Sequence, residues 1–210
     1  MLNFERLATS AEAASPARVT QSDDARMALM RAGRSRVSYA DLERVPDDGR
    51  RFEILDGELI EMTPSPTPQH QRSAKRLQRQ LEAYFEHEGL GEVFGAPLDV
   101  ILTPSDVFQP DILVVTDPRH VTARAIEAPP ELLVEVLSPS SATYDRVKKA
   151  NRYAALGVMN YWILDPAARR LECYRNVEGS FVLAGSAEGD STLDTPHFPG
   201  LTIDLGAIWA

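Results

Sequence analysis

Apolar residues recur along this chain with two different periods, and the switches between them mark out its elements. RFEIL and ELIEM, residues 51–55 and 58–62, flank Asp56-Gly57. A two-residue Asp-Gly link between apolar runs is the strongest short-range hairpin signal, and it puts Glu53 in the hairpin's first strand. The period then changes. Leu77, Leu81, Tyr84 and Phe85 return at helical spacing, with Thr67 as N-cap, Pro68 at the first helical position and Gly89 as stop, so one amphipathic helix is predicted. EVFGAPLDVIL, DILVV and ELLVEVL (92–102, 111–115 and 131–137) are short and β-branched enough to be strands of a central sheet. YDRVKKANRYAAL (144–156) reads as a second helix stopped by Gly157 and running into strand NYWILD. RLECYR and SFVLAG follow at hairpin-like distances, and LTIDLGAIWA closes the chain.

Ahead of the hairpin, Ser38 with Asp41 three residues on resembles a capping box opening a short helix that ends before Pro46. Residues 1–36 show no sustained periodicity and are predicted to be a flexible or loosely docked extension, followed by one domain over 37–210. A chain of 210 residues has room for one well-packed core. No window approaches the ~18 apolar residues of a membrane span, and the N-terminal stretch lacks the apolar core of a secretory signal, so no membrane contact and a cytoplasmic location are expected. Cys173 is the single cysteine, which excludes an intrachain disulfide and a cysteine-cluster zinc site. The net charge of −9 argues against a general electrostatic grip on nucleic acid, although Arg72, Lys75, Arg76 and Arg79 give the first long helix a basic face that reads equally as solvated charge.

Two carboxylates stand out. Asp111 opens a strand after Pro110, and Glu135 interrupts an apolar strand in which Glu131, Leu133, Glu135 and Leu137 share one face. An acid there is costly to bury alone, and pairing or metal coordination is the usual remedy. Together with an intervening backbone carbonyl, that of Val136, Asp111 and Glu135 would make an oxygen-rich site suited to Mg²⁺ or Mn²⁺ and to phosphodiester hydrolysis. Taken alone, Asp111 reads as well as a turn residue, and Glu135 as a surface acid or a partner of arginine.

Glu53 in FEILDGEL, Pro110-Asp111, Glu135 in VEVLSPS, then Asp145-Arg146, Lys149, Tyr153, Gly157-Val158 and Tyr161-Trp162 with Asp165 form an ordered set. It resembles the Uma-two family of restriction endonucleases, over roughly residues 37–206. The resemblance implies an α/β restriction-endonuclease-like fold of the PD-(D/E)XK type: a mixed central sheet flanked by helices, with metal-binding Asp and Glu. One departure is informative. Leu137 stands where the usual Glu-x-Lys would have lysine, so the ammonium must come from elsewhere, and Lys149, one helical turn after Asp145, matches the family spacing. Lys149 reads otherwise as an ordinary surface partner of Asp145, and Lys148 is the less favoured neighbour. Glu53 matches the family's early glutamate and would complete the metal site through a water or a second cation, unless it is an ordinary hairpin acid. His70 matches a family histidine that would approach the site or a phosphate, although a lone histidine at a helix start is more often a surface group or one that supports a site residue from behind. Tyr153, Tyr161 and Trp162 could stack on bases, but aromatic residues flanking a helix-to-strand turn are more often core.

The function expected is therefore metal-dependent endonuclease activity on nucleic acid, DNA by preference, with a homodimer if both strands of a duplex are cut. The alternatives are a catalytically silent binding or assembly module, which the net charge and Leu137 favour, and a hydrolase of a smaller phosphate ester.

Overall fold

In a computed structural model of the protein, residues 36–45, 49–62, 66–139 and 141–210 are described. The predicted extension, residues 1–36, lies outside the described residues except for Arg36. The domain opens with a short helix α1 (Tyr39–Leu42), where the Asp41 carboxylate accepts hydrogen bonds from both the backbone N–H (3.0 Å) and the hydroxyl (2.7 Å) of Ser38. Strands β1 (Phe52–Leu55) and β2 (Glu58–Glu61) form the hairpin, with Leu55 opposite Glu58. Both link residues have positive φ, 51° at Asp56 and 81° at Gly57, the geometry that matches the twist of flanking strands and that Asp-Gly tolerates.

Helix α2 (Pro68–Phe85) begins under a Thr67 cap whose hydroxyl accepts the His70 N–H at 3.2 Å. The segment predicted as one strand over 92–102 is divided. Glu92–Gly95 (β3) lies in one sheet and Val100–Thr103 (β4) in another, because Pro97, which has no N–H for a ladder, interrupts pairing between them. β5 (Asp106–Phe108), too short for its periodicity to register, joins β4 to the hairpin, completing a four-stranded sheet of order β2-β1-β5-β4. The chain then enters β6 (Ile112–Val115), β7 (Leu132–Val136), β8 (Asn160–Asp165), β9 (Arg170–Val177) and β10 (Ser180–Glu188), which with β3 form a six-stranded sheet of order β10-β9-β8-β7-β6-β3. β11 (Thr192–Asp194) and β12 (Thr202–Asp204) pair with each other, and α4 (Leu205–Trp209) closes the chain.

Only β7 and β8 run parallel in the large sheet, so their connection has to cross back over it. That crossover is α3 (residues 144–155), which starts as a π-helix over Tyr144–Lys149 and continues as α-helix over Ala150–Ala155. Apolar clusters cover both sheet faces. Leu132, Val134 and Val136 of β7 join the cluster under α2, whereas Leu133 and Leu137 join the one under α3, as the alternation of a strand requires. Tyr161 and Trp162 are buried in these two clusters, and so is Cys173. Among the described residues no helix is long and apolar enough to cross a membrane.

Asp106 ties the small sheet to α3. It is fully buried and accepts from Arg152 Nε at 2.6 Å, Arg152 Nη2 at 2.7 Å, Thr103 Oγ1 at 2.6 Å and the Asp56 N–H at 2.9 Å. Burial acts to raise its pKa, but these donors outweigh it and hold the carboxyl below its usual range. A depressed folded-state pKa means that the stabilisation is fully present above the unfolded value, about 3.9, and fades as pH falls below it. Asp106→Asn is expected to cost about 2–3 kcal/mol at neutral pH. It should also flatten the loss of stability between about pH 4 and pH 2, as measured by urea unfolding; an unchanged acid limb would show that other carboxylates govern it.

Candidate active site

Register brings the two candidate ligands together. β6 pairs antiparallel with β7, Ile112 opposite Val134, so one residue further out Asp111 comes opposite Glu135. The Val136 N–H donates to Asp111 Oδ2 at 2.8 Å, fixing that carboxylate at the strand mouth. His70, nearly buried in the first turn of α2, places Nε2 3.2 Å from the same oxygen, and the carbonyl of Val136 also faces its imidazole. Burial works against a charge on His70, but Asp111 prevails and its pKa is raised. Its Nδ1 is buried without a hydrogen-bond partner among the described residues.

Lys149 comes from the crossover helix. It is 3% exposed, and its Nζ lies 2.8 Å from Glu53 Oε1, 3.0 Å from Glu135 Oε1 and 3.8 Å from Asp145 Oδ1. The reading of Lys149 as a surface partner of Asp145 is thereby replaced by a buried bridge between two strands, whereas Lys148 is exposed. Tyr153, one turn along, donates its hydroxyl to Glu135 Oε1 at 2.9 Å. Glu53 is buried, not a surface hairpin acid, and its Oε1 also accepts the Gln109 N–H at 2.9 Å. Glu53 is not among the residues that line the cleft, so its link to the site runs through Lys149.

One ammonium thus faces three buried carboxyls. Burial tends to discharge Lys149, but Glu135, Glu53 and Asp145 hold its pKa well above the ordinary range. Burial pushes Glu135 well up, and the attraction of Lys149 does not cancel it because Asp145, Asp111 and Glu53 add repulsion. Asp145 is raised for the same first reason, burial. Burial is thus the main cause for both carboxyls, and the surplus of negative charge around the single ammonium adds to it, a surplus that a divalent cation would offset.

The group opens onto a cleft of about 290 Å³, lined by Arg51, His70, Gln109, Asp111, Glu135 and Lys149 together with Ser138 and Asp145. Protein hydrogen bonds to the two candidate ligands fall on Asp111 Oδ2 and Glu135 Oε1, so Asp111 Oδ1 and Glu135 Oε2 accept none among the described residues. No cluster of three or more His, Cys, Asp or Glu side chains arranged to hold a metal is present among the described residues. Asp111, Glu135 and the Val136 carbonyl are the groups here that could hold a cation, and such a set would suit Mg²⁺, which usually keeps several waters and takes only one or two carboxylates.

A family model described as "Putative restriction endonuclease", Uma2, matches residues 39–206. The chain belongs to the Uma2 family. A curated relative, an uncharacterized protein (sll1609) of Synechocystis sp., is 26% identical over 140 residues, 65% of this chain and 78% of its own length. A solved structure from Anabaena variabilis ATCC 29413, described as a putative nuclease belonging to DUF820, superposes with a TM-score of 0.66 at 18% identity, covering 82% of this chain and 97% of that one. The fold of this Uma2 protein is thus the mixed α/β nuclease fold that the family resemblance implies.

Sequence reasoning did not single out every group in the Uma2 site. Asp145 was visible in the ordered family set and as an i,i+4 partner of Lys149, but nothing local reveals its burial. The Tyr153 hydroxyl looked like core, and it is core, yet it ends on Glu135. Arg51 and Gln109 carried no signal at all. Arg51 lines the cleft without an ion pair among the described residues, and Gln109 Oε1 is buried without a partner there.

Proposed function

We propose that this Uma2 protein is a Mg²⁺- or Mn²⁺-dependent nuclease that hydrolyses phosphodiester bonds of nucleic acid, with DNA as the favoured substrate. The observation that carries this reading is the buried Lys149 bridging Glu53 and Glu135 beside Asp111, at the floor of an open cleft. Asp111, Glu135 and the Val136 carbonyl would hold the cation, with Asp111 Oδ1 and Glu135 Oε2 as its carboxylate oxygens. When bound, the metal supplies Lewis acidity and lowers the pKa of a coordinated water.

The chain's own residues do the rest. Lys149 has three N–H donors and spends two on Glu53 and Glu135, leaving the third for the attacking water or a phosphate oxygen. Glu53 is a positioning residue: it holds Nζ in place and, with Glu135, keeps it charged. His70 orients Asp111, and Arg51 at the cleft wall offers its guanidinium to the phosphate. Cleavage of both strands of a duplex would call for a homodimer, one site per strand, and a cytoplasmic place of action accords with a DNA substrate.

The test is incubation of the purified protein with single- and double-stranded DNA and RNA in Mg²⁺, Mn²⁺ or EDTA. Metal-dependent cleavage that disappears in Glu135→Gln supports the reading. Absence of cleavage together with absence of Mn²⁺ binding by calorimetry would leave a silent module of the same fold, which the net charge of −9 favours.

A further inference from the structure

On the other side of the first turns of α2 lies a second concavity, of about 750 Å³, larger than the catalytic cleft. Gln69, Arg72, Ser73 and Arg76 of α2 form one wall, and Arg169 and Trp209 lie opposite. Among the described residues three arginines line it together with the terminal Ala210, and no Asp or Glu side chain does, in a chain whose formal charge is −9. Arg72 is exposed and makes no ion pair among the described residues, whereas Arg76 Nη1 donates to a neutral group, the Ile208 carbonyl, at 3.1 Å. Arg169 pairs with Asp190, whose side chain is 72% exposed. An ion pair that open to water is worth little, and a phosphate can displace it at small cost.

The groove and the cleft share one helix turn. Gln69 lines the groove and anchors it by donating to the Pro166 carbonyl at 3.2 Å, while the next residue, His70, lines the cleft. From His70 to Arg76 the helix rises about 9 Å, and Arg72 and Arg76 stand about 6 Å apart along its axis. Phosphates follow one another at about 3.4 Å per strand along a duplex, so the two guanidiniums can meet separate phosphates of one strand.

We infer that this groove is the track for the backbone of a DNA strand leading out of the catalytic cleft, with Arg72, Arg76 and Arg169 as its phosphate contacts. The inference rests on the nuclease reading. It also reconciles that reading with the acidic chain, because the grip on phosphate is confined to one concavity instead of being spread over the surface. Three phosphate contacts correspond to a slope of log K against log salt of about −2.7 on duplex DNA.

The test measures binding of a fluorescently labelled DNA duplex in EDTA, where no cleavage occurs, from about 50 to 200 mM KCl. Arg72→Glu, at an exposed position with no partner to lose, should weaken binding at low salt by about tenfold or more and make the slope shallower by at least one contact, about 0.9. Adding Arg169→Ala should remove a second contact, while Arg119→Ala, at an arginine outside the groove and paired with Asp117, should leave the affinity unchanged. Equal affinity and slope in wild type and Arg72→Glu would overturn the inference, as would an equal loss in Arg119→Ala or binding of RNA but not of DNA. Hydrolysis of a small chromogenic phosphodiester separates the two levels. If wild type hydrolyses it while the groove variants bind DNA normally, the groove assignment alone fails; if wild type neither hydrolyses it nor cleaves nucleic acid, the nuclease reading fails.

Discussion

Lys149→Ala is expected to reduce cleavage by about 10²-fold or more, the scale of losing one preorganised electrostatic group, and to destabilise the fold as well. The second effect follows from burial. Removing the ammonium leaves Glu53, Glu135 and Asp145 as buried acids without a cation, and breaking a buried pair costs about 3–5 kcal/mol. For a domain of this size that corresponds to a fall in Tm of roughly 10 °C. Stability and catalysis can then be separated by the double variant Lys149→Ala/Glu53→Gln, which removes one of the stranded charges. It should recover part of the Tm but none of the cleavage. Lys148→Ala, at an exposed position on the same helix, should do neither. Recovery of cleavage along with Tm in the double variant would sink the catalytic role of Lys149 and leave it a structural bridge.

Glu135→Gln and Asp111→Asn should act through the metal instead. Each is expected to weaken Mn²⁺ binding by more than ~100-fold and to abolish measurable cleavage, because each removes one of the two carboxylates proposed to hold the cation. Their stability profiles should differ from that of the lysine variant. Glutamine at 135 removes the carboxyl whose burial, with repulsion from neighbouring acids added, pushes its pKa well up, and it keeps an acceptor for Lys149 and Tyr153, so its Tm should stay within a few degrees of wild type. Metal binding by calorimetry beside thermal unfolding checks both halves. Wild-type Mn²⁺ affinity in Glu135→Gln would remove Glu135 from the metal site and leave its burial to be explained by Lys149 alone.

How much of this was legible along the chain depends on the distance over which each feature is decided. The Asp56-Gly57 hairpin, the Thr67-capped helix with its buried Leu77, Leu81 and Phe85, and the alternation of Leu132 to Leu137 about Glu135 were determined by the sequence itself. Each rests on interactions within a few residues: a turn dihedral, a cap, a period. A period tells which face of an element is buried but not against what. Tertiary structure therefore decided that residues 92–103 serve two different sheets and that Asp106, in a three-residue strand, holds Arg152 of the crossover helix. It decided that Glu53 meets Lys149 across 96 residues of chain, turning two acids and a lysine that each had an ordinary surface reading into one buried group. The groove arginines repeat the point, since Arg72 and Arg76 share a visible helical row but Arg169 reaches them only through the packing of the sheet end against that helix. Charges separated this far cannot be paired from pattern, because their partners are chosen by which faces the sheet brings together.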